Sequence, residues 1–106
     1  MRSLALVFLI TISAAPSPVC GQSPLGDIAQ GHALAIKVCA DCHRVAKGHG
    51  VSKELSAPAF QAIADASSTT AVSLRVFLRT PHRNMPNLML RESETDDVIA
   101  YILSLK

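Results

Sequence analysis

The sequence predicts an all-α fold, three to five short helices gathered around a large apolar group that the chain does not itself supply. Three observations carry this. Apolar residues recur at the i, i+3, i+4, i+7 spacing of a helix face after Asp27 and again near the C-terminus. No segment shows a sustained strand-like alternation, and no internal repeat is visible. The side chains available for a core are also few, with one Tyr, three Phe and no Trp in 106 residues. A domain that small needs a staple such as disulfides, a metal or another bulky apolar body.

The first element is a leader. Arg2 precedes an unbroken apolar and small-residue run, Leu4 to Ala15, and small residues follow. This is the pattern of a secretory signal peptide, too short to span a bilayer core of ~30 Å. Cleavage between Gly21 and Gln22 places Val19 and Gly21 where small uncharged residues are wanted. The expected division is therefore a cleaved leader at 1–21 and one domain at 22–106. Lipidation of Cys20 is the lesser alternative, because Val19 and Pro18 precede it. Arg2 leaves with the leader, so nine basic side chains face eight acidic ones. Near-neutral charge argues against nucleic acid as a partner.

Asp27–Ala40 reads as the first helix, with Asp27 as N-cap and Ile28, Gly31, Leu34, Ala35 and Val38 on one face. Gly inside a helix costs about 1 kcal/mol relative to Ala, so another element is expected to pass closely at Gly31, with Tyr101 or Val98 against it. Lys47–Ser56 reads as a loop and Pro58–Asp65 as a short helix. Ala71–Arg79 is the third helix, after a capping cluster at Ser67, Ser68, Thr69 and Thr70. Its apolar side is expected at Val72, Val76 and Phe77, with Leu74 and Leu78 nearby. The last helix is expected at Glu94–Leu105, capped by Ser93 with Asp96, its apolar face formed by Val98, Tyr101, Ile102 and Leu105.

The chemistry is concentrated in Cys39-Ala40-Asp41-Cys42-His43, a C-x-x-C-H run, the haem c attachment signature. Two thiols at this spacing reach both vinyl groups along one edge of a haem and form thioethers. The adjacent imidazole of His43 then falls under the iron. A C-x-x-C pair also suits a thioredoxin-like site, half of a zinc site or a disulfide. The first wants a strand and a βαβ context, and the second lacks further paired ligands.

Pro81 and Pro86 exclude a helix around Met85. A methionine held in a rigid loop suits a thioether ligand, and a His/Met pair raises a haem potential. Met85 is therefore expected as the distal ligand, and Met89 as a core-packing residue. His32, His49 and His82 rank below Met85 as donors. Eight basic residues from Lys37 to Arg91 outnumber Asp41, Glu54 and Asp65, while acids gather at Glu92–Asp97. A basic surface near the haem edge would steer an acidic redox partner.

With these residues in view, the chain resembles a class I cytochrome c of the small bacterial monohaem kind. The resemblance rests on Gly31 eight residues before Cys39, on C-x-x-C-H, on Met85-Pro86, and on Ala100-Tyr101-Ile102 in the last helix. It implies the cytochrome c fold around one covalent haem c, with Cys39 and Cys42 as thioether attachments, His43 below the iron and Met85 above it. It implies a proline carbonyl accepting from the proximal imidazole, with Pro58 the candidate. One departure stands out: the family often has an aromatic four residues after the helix Gly, where this chain has Ala35. The terminal helix contact is therefore expected to be lighter, or filled by Leu34. The function implied is a periplasmic one-electron carrier, not an enzyme. A haem subunit of a larger oxidoreductase is the alternative, or a ligand sensor or peroxidase if Met85 does not ligate. Without haem the chain is expected to be poorly ordered.

Overall fold

A computed structural model describes residues 25–81 and 84–106. The expected leader with its cleavage site, Cys20 and His82 lie outside the described residues. Four α-helices and one π-helical turn make up the described fold, with no strand among the described residues, as the all-α expectation requires. None of these helices is long and apolar enough to cross a membrane.

Helix α1 spans Ile28–Leu34. Asp27 caps it, its Oδ1 accepting from the amides of Ala29 at 2.8 Å and Gln30 at 3.0 Å. The helix then widens into a π-helical turn, Ala35–Cys39, closed by the Ala40 amide donating to the Ala35 carbonyl. Such turns are rare and occur often at functional sites. This one ends on Cys39.

Helix α2 spans Phe60–Asp65, two residues shorter at its start than expected. Ala59 is extended, and the Pro58 carbonyl is turned toward His43 instead. Helix α3 spans Ala71–Arg79 as expected. Thr70 and Ser73 cap it reciprocally, each side chain accepting from the other's amide. Its buried stripe differs from expectation. Leu74 is buried and Ala71 and Leu78 pack on the core, while Val72 and Val76 are exposed. Positions 71, 74 and 78 share one face, and Val72 and Val76 lie on another.

Helix α4 spans Glu92–Leu103, beginning two residues before the expected start. The cap is Arg91 rather than Ser93. Glu94 reaches back to accept from the Arg91 amide at 2.9 Å, which fixes the first turn. The expected face is buried: Val98, Tyr101, Ile102 and Leu105 all lie in the core, joined by Ile99.

Helices α1 and α4 cross at Gly31. A Cβ there would fall inside the backbone carbonyl of Asp97, so only glycine allows this approach. Tyr101 is the side chain next to it, as one of the two expected contacts. Asp97 also accepts from the Asp27 amide at 2.7 Å, tying the start of α1 to α4. The aromatic missing at Ala35 is replaced from another position: the His32 ring lies on Tyr101 with centroids 4.7 Å apart. Leu34 packs against the core only in part.

Candidate functional site

Cys39, Cys42 and His43 leave the π-helical turn in a tight hydrogen-bonded bend. The amides of Cys42 and His43 both donate to the Cys39 carbonyl, at 3.2 and 2.9 Å. The bend puts both sulfurs and the imidazole on the wall of one cavity. Cys39 is buried and Cys42 half-buried, both as free thiols. Burial pushes the Cys39 thiol up to about 11. No strand precedes the motif among the described residues, so the βαβ context of a thioredoxin-like site is not found there.

His43 is oriented from two sides. Its Nδ1 donates to the Pro58 carbonyl at 2.6 Å, the acceptor the resemblance implied. A carbonyl only accepts, so Nδ1 carries the proton and Nε2 keeps its lone pair. The ring also rests against Phe60, centroids 5.5 Å apart, and Phe60 rests against Tyr101 at 6.3 Å. The backbone helps as well, because the Phe60 amide donates to the Arg44 carbonyl beside His43.

The segment between α3 and α4 also contributes to the cavity wall. Asn84 has φ +66°, the left-handed region that Asn tolerates better than most residues. The chain turns there, and Asn84, Met85 and Pro86 all border the cavity that holds Cys39, Cys42 and His43. Met89 does not behave as expected: it is 89% exposed rather than in the core. It lies beyond the turn, where Leu88 faces the cavity instead.

Between these walls lies a cavity of about 610 Å³, within the range of about 300–1,000 Å³ typical of small-molecule and cofactor sites. Phe60, Ile63, Leu74, Leu78 and Ile102 line it with hydrocarbon, and Phe77 turns a largely uncovered ring to the same space. Of the other histidines, His32 lies on Tyr101 and His49 lies 3.8 Å from Asp65, and neither borders the cavity. Two cysteines, a histidine and a methionine around one cavity lined mostly with hydrocarbon fit a haem.

Sequence reasoning missed Phe60, Asn84 and Gln61. Asn84 had a local signal, an Asn beside the expected ligand in a loop bounded by prolines. Gln61 had none. It is buried, accepts from the Gly48 amide at 2.9 Å, and donates to Leu105 O at 2.8 Å and Asp65 at 3.0 Å. It therefore joins the loop after the haem motif to α2 and the C-terminus.

Comparison with known proteins agrees with this geometry. Cytochrome c-552 of Bradyrhizobium diazoefficiens is 32% identical over 106 residues, covering 100% of this chain and 95% of that protein. No solved structure matches. Residues 28–106 match the family described as Cytochrome c, and the chain belongs to that family of haem c electron-transfer proteins, with one covalently bound haem c.

Proposed function

We propose that the chain is an exported one-electron carrier in which Cys39 and Cys42 would hold haem by thioethers, and His43 and Met85 would bind its iron. The observation that supports this most is that His43 and Met85 border one apolar cavity while Nδ1 of His43 is already committed to Pro58. Only Nε2 is then left to bind metal. Bound haem supplies reversible one-electron exchange between ferrous and ferric iron. The residues do the rest. Pro58 and Phe60 fix the imidazole plane, Asn84 and Pro86 aim the thioether, and Phe77, Leu74 and Ile102 exclude water. With His43 and Met85 both bound to the iron, no position would be left for a substrate, which favours a carrier over an enzyme. The leader read in residues 1–21 supports a periplasmic location.

The redox partner is proposed to be a protein with an acidic docking surface, met by a smaller basic patch than the sequence suggests. Arg75, Arg79 and Arg91 pair with Glu92, Asp96 and Glu94. Among the described residues, Lys37, Lys47 and Lys53 are left exposed for steering. Association rates are expected to fall gently with ionic strength.

A second reading is favoured by the exposed apolar side chains. Val51, Leu55, Val72 and Met89 are each at least 74% exposed. A haem subunit docked permanently on a larger oxidoreductase would cover such residues. Co-purification with a catalytic partner from the native membrane or periplasmic fraction supports that reading, and a lone monomer supports the free carrier.

The optical spectrum of the oxidised holoprotein tests the ligand pair. A low-spin spectrum with a weak far-red sulfur-to-iron band, lost in Met85→Ala, is expected. A high-spin spectrum, or a band that survives Met85→Ala, contradicts it.

A further inference from the structure

Helix α3 ends at Arg79 and α4 begins at Glu92, and the twelve residues between them carry Met85. Among its described residues this connection has no helix or strand of its own. Its two ends are tied together. Arg79 donates to Glu92 Oε1 at 3.2 Å. One turn away from the loop along each helix, Arg75 pairs with Asp96, and it also reaches Glu92 at 3.9 Å. The pairs form a two-rung ladder of i, i+4 residues on each helix. The inner rung is the better covered, with Arg75 and Asp96 only 31% and 30% exposed. Arg79 in the last turn of α3 and Glu92 in the first turn of α4 each also suit the local helix dipole.

Apolar packing holds α3 on one side, where Ala71 and Leu78 rest on the core and Leu74 and Leu78 border the cavity. Leu74 is its one buried residue, and Val72 and Val76 face away. The ionic ladder ties α3 to α4 on its other side, and the spacing of the two helices is the neck of the loop. We infer that Arg75, Arg79, Glu92 and Asp96 form a clamp that closes the neck of the Met85 loop and so holds Met85 against the iron. They are positioning residues, and this rests on the reading of Met85 as ligand.

An external ligand reaches the iron only when Met85 leaves it. Its apparent affinity is thus scaled by the fraction of molecules whose loop is open. Imidazole binding to the oxidised holoprotein, followed by loss of the sulfur-to-iron band, reads that fraction. Arg79→Gln, Glu92→Gln and Asp96→Asn are each expected to raise imidazole affinity about two- to fivefold, the range that exposed and half-buried ion pairs span. Hydrogen exchange at amides 84–91 should quicken in parallel, and Arg79→Lys should restore most of the difference. High salt should raise the affinity of the unmodified protein but not that of a Glu92→Gln/Asp96→Asn double variant.

Asp27→Ala separates the clamp from general destabilisation. It removes the α1 cap without touching the loop and should leave imidazole affinity unchanged. Unchanged affinity and exchange in Arg79→Gln and Glu92→Gln overturn the clamp, as does an equal rise in Asp27→Ala. Absence of the sulfur-to-iron band from the unmodified protein instead overturns the Met85 reading beneath it, and the clamp's purpose with it.

Discussion

The imidazole of His43 and the carbonyl of Pro58 meet at 2.6 Å across fifteen residues of chain. That bond decides which ring nitrogen is available for metal. It also makes the ring a stronger donor, because a carbonyl accepting from Nδ1 raises the basicity of Nε2.

Loosening that bond should move the potential. Pro58→Gly frees the backbone that aims the carbonyl. A less basic imidazole favours ferric iron less, so the potential should rise, by up to about 60 mV, the one-electron equivalent of a tenfold change in equilibrium constant. Voltammetry of the holoprotein measures it, and an unchanged or lowered potential would show that the bond does not tune the iron.

Gly31→Ala tests the helix crossing. The new methyl would meet the Asp97 backbone, which cannot swing aside. Overpacking of this kind costs about 1–3 kcal/mol or more, against a gain of about 1 kcal/mol in helix propensity. Gly50→Ala is the comparison, because its methyl meets the flexible Arg44 side chain. Denaturant unfolding should show a clear loss for Gly31→Ala and a much smaller one for Gly50→Ala.

Gln61→Leu should cost about 2–3 kcal/mol in the same measurement. The substitution keeps the volume close but leaves the Gly48 amide and the Leu105 carbonyl without their partner. A change below about 0.5 kcal/mol would mean that water replaces the amide at both places.

Tyr101 links stability to pH. Its hydroxyl donates to the Val45 carbonyl at 2.6 Å, and burial raises its pKa above the usual value, which is about 10. A raised folded pKa gives stability that is fully present below the unfolded value and lost as pH rises through the folded one. Tyr101→Phe should therefore cost about 1–2 kcal/mol at neutral pH. The deficit should shrink above about pH 10, where the unmodified protein must bury a phenolate or open. A deficit constant to higher pH would contradict this.

Much of the fold was legible because its signals are local. Asp27 before an apolar stripe, Thr70 before Ala71, and the spacing of Val98, Tyr101, Ile102 and Leu105 each depend on a few neighbouring residues. The haem motif was legible for the same reason. What depends on distant partners was not. Helix α3 has two apolar stripes, and only the packed structure shows that Leu74 rather than Val72 faces inward. Ser93 is by residue type the better local cap, yet Glu94 reaches back to the Arg91 amide and the helix starts earlier. Gly31 announced a close approach, but not that its main partner would be the Asp97 backbone. Pro58 as acceptor came through resemblance alone. Met89 was misplaced because nothing in a loop sequence separates a methionine facing the core from one facing solvent.

Carbon monoxide added to the reduced holoprotein tests the closed His43/Met85 site most directly. Iron held on both faces should leave the spectrum of the unmodified protein unchanged on mixing, while Met85→Ala shifts at once. A prompt shift in the unmodified protein would show an open iron and a ligand-binding haem protein instead of an electron carrier.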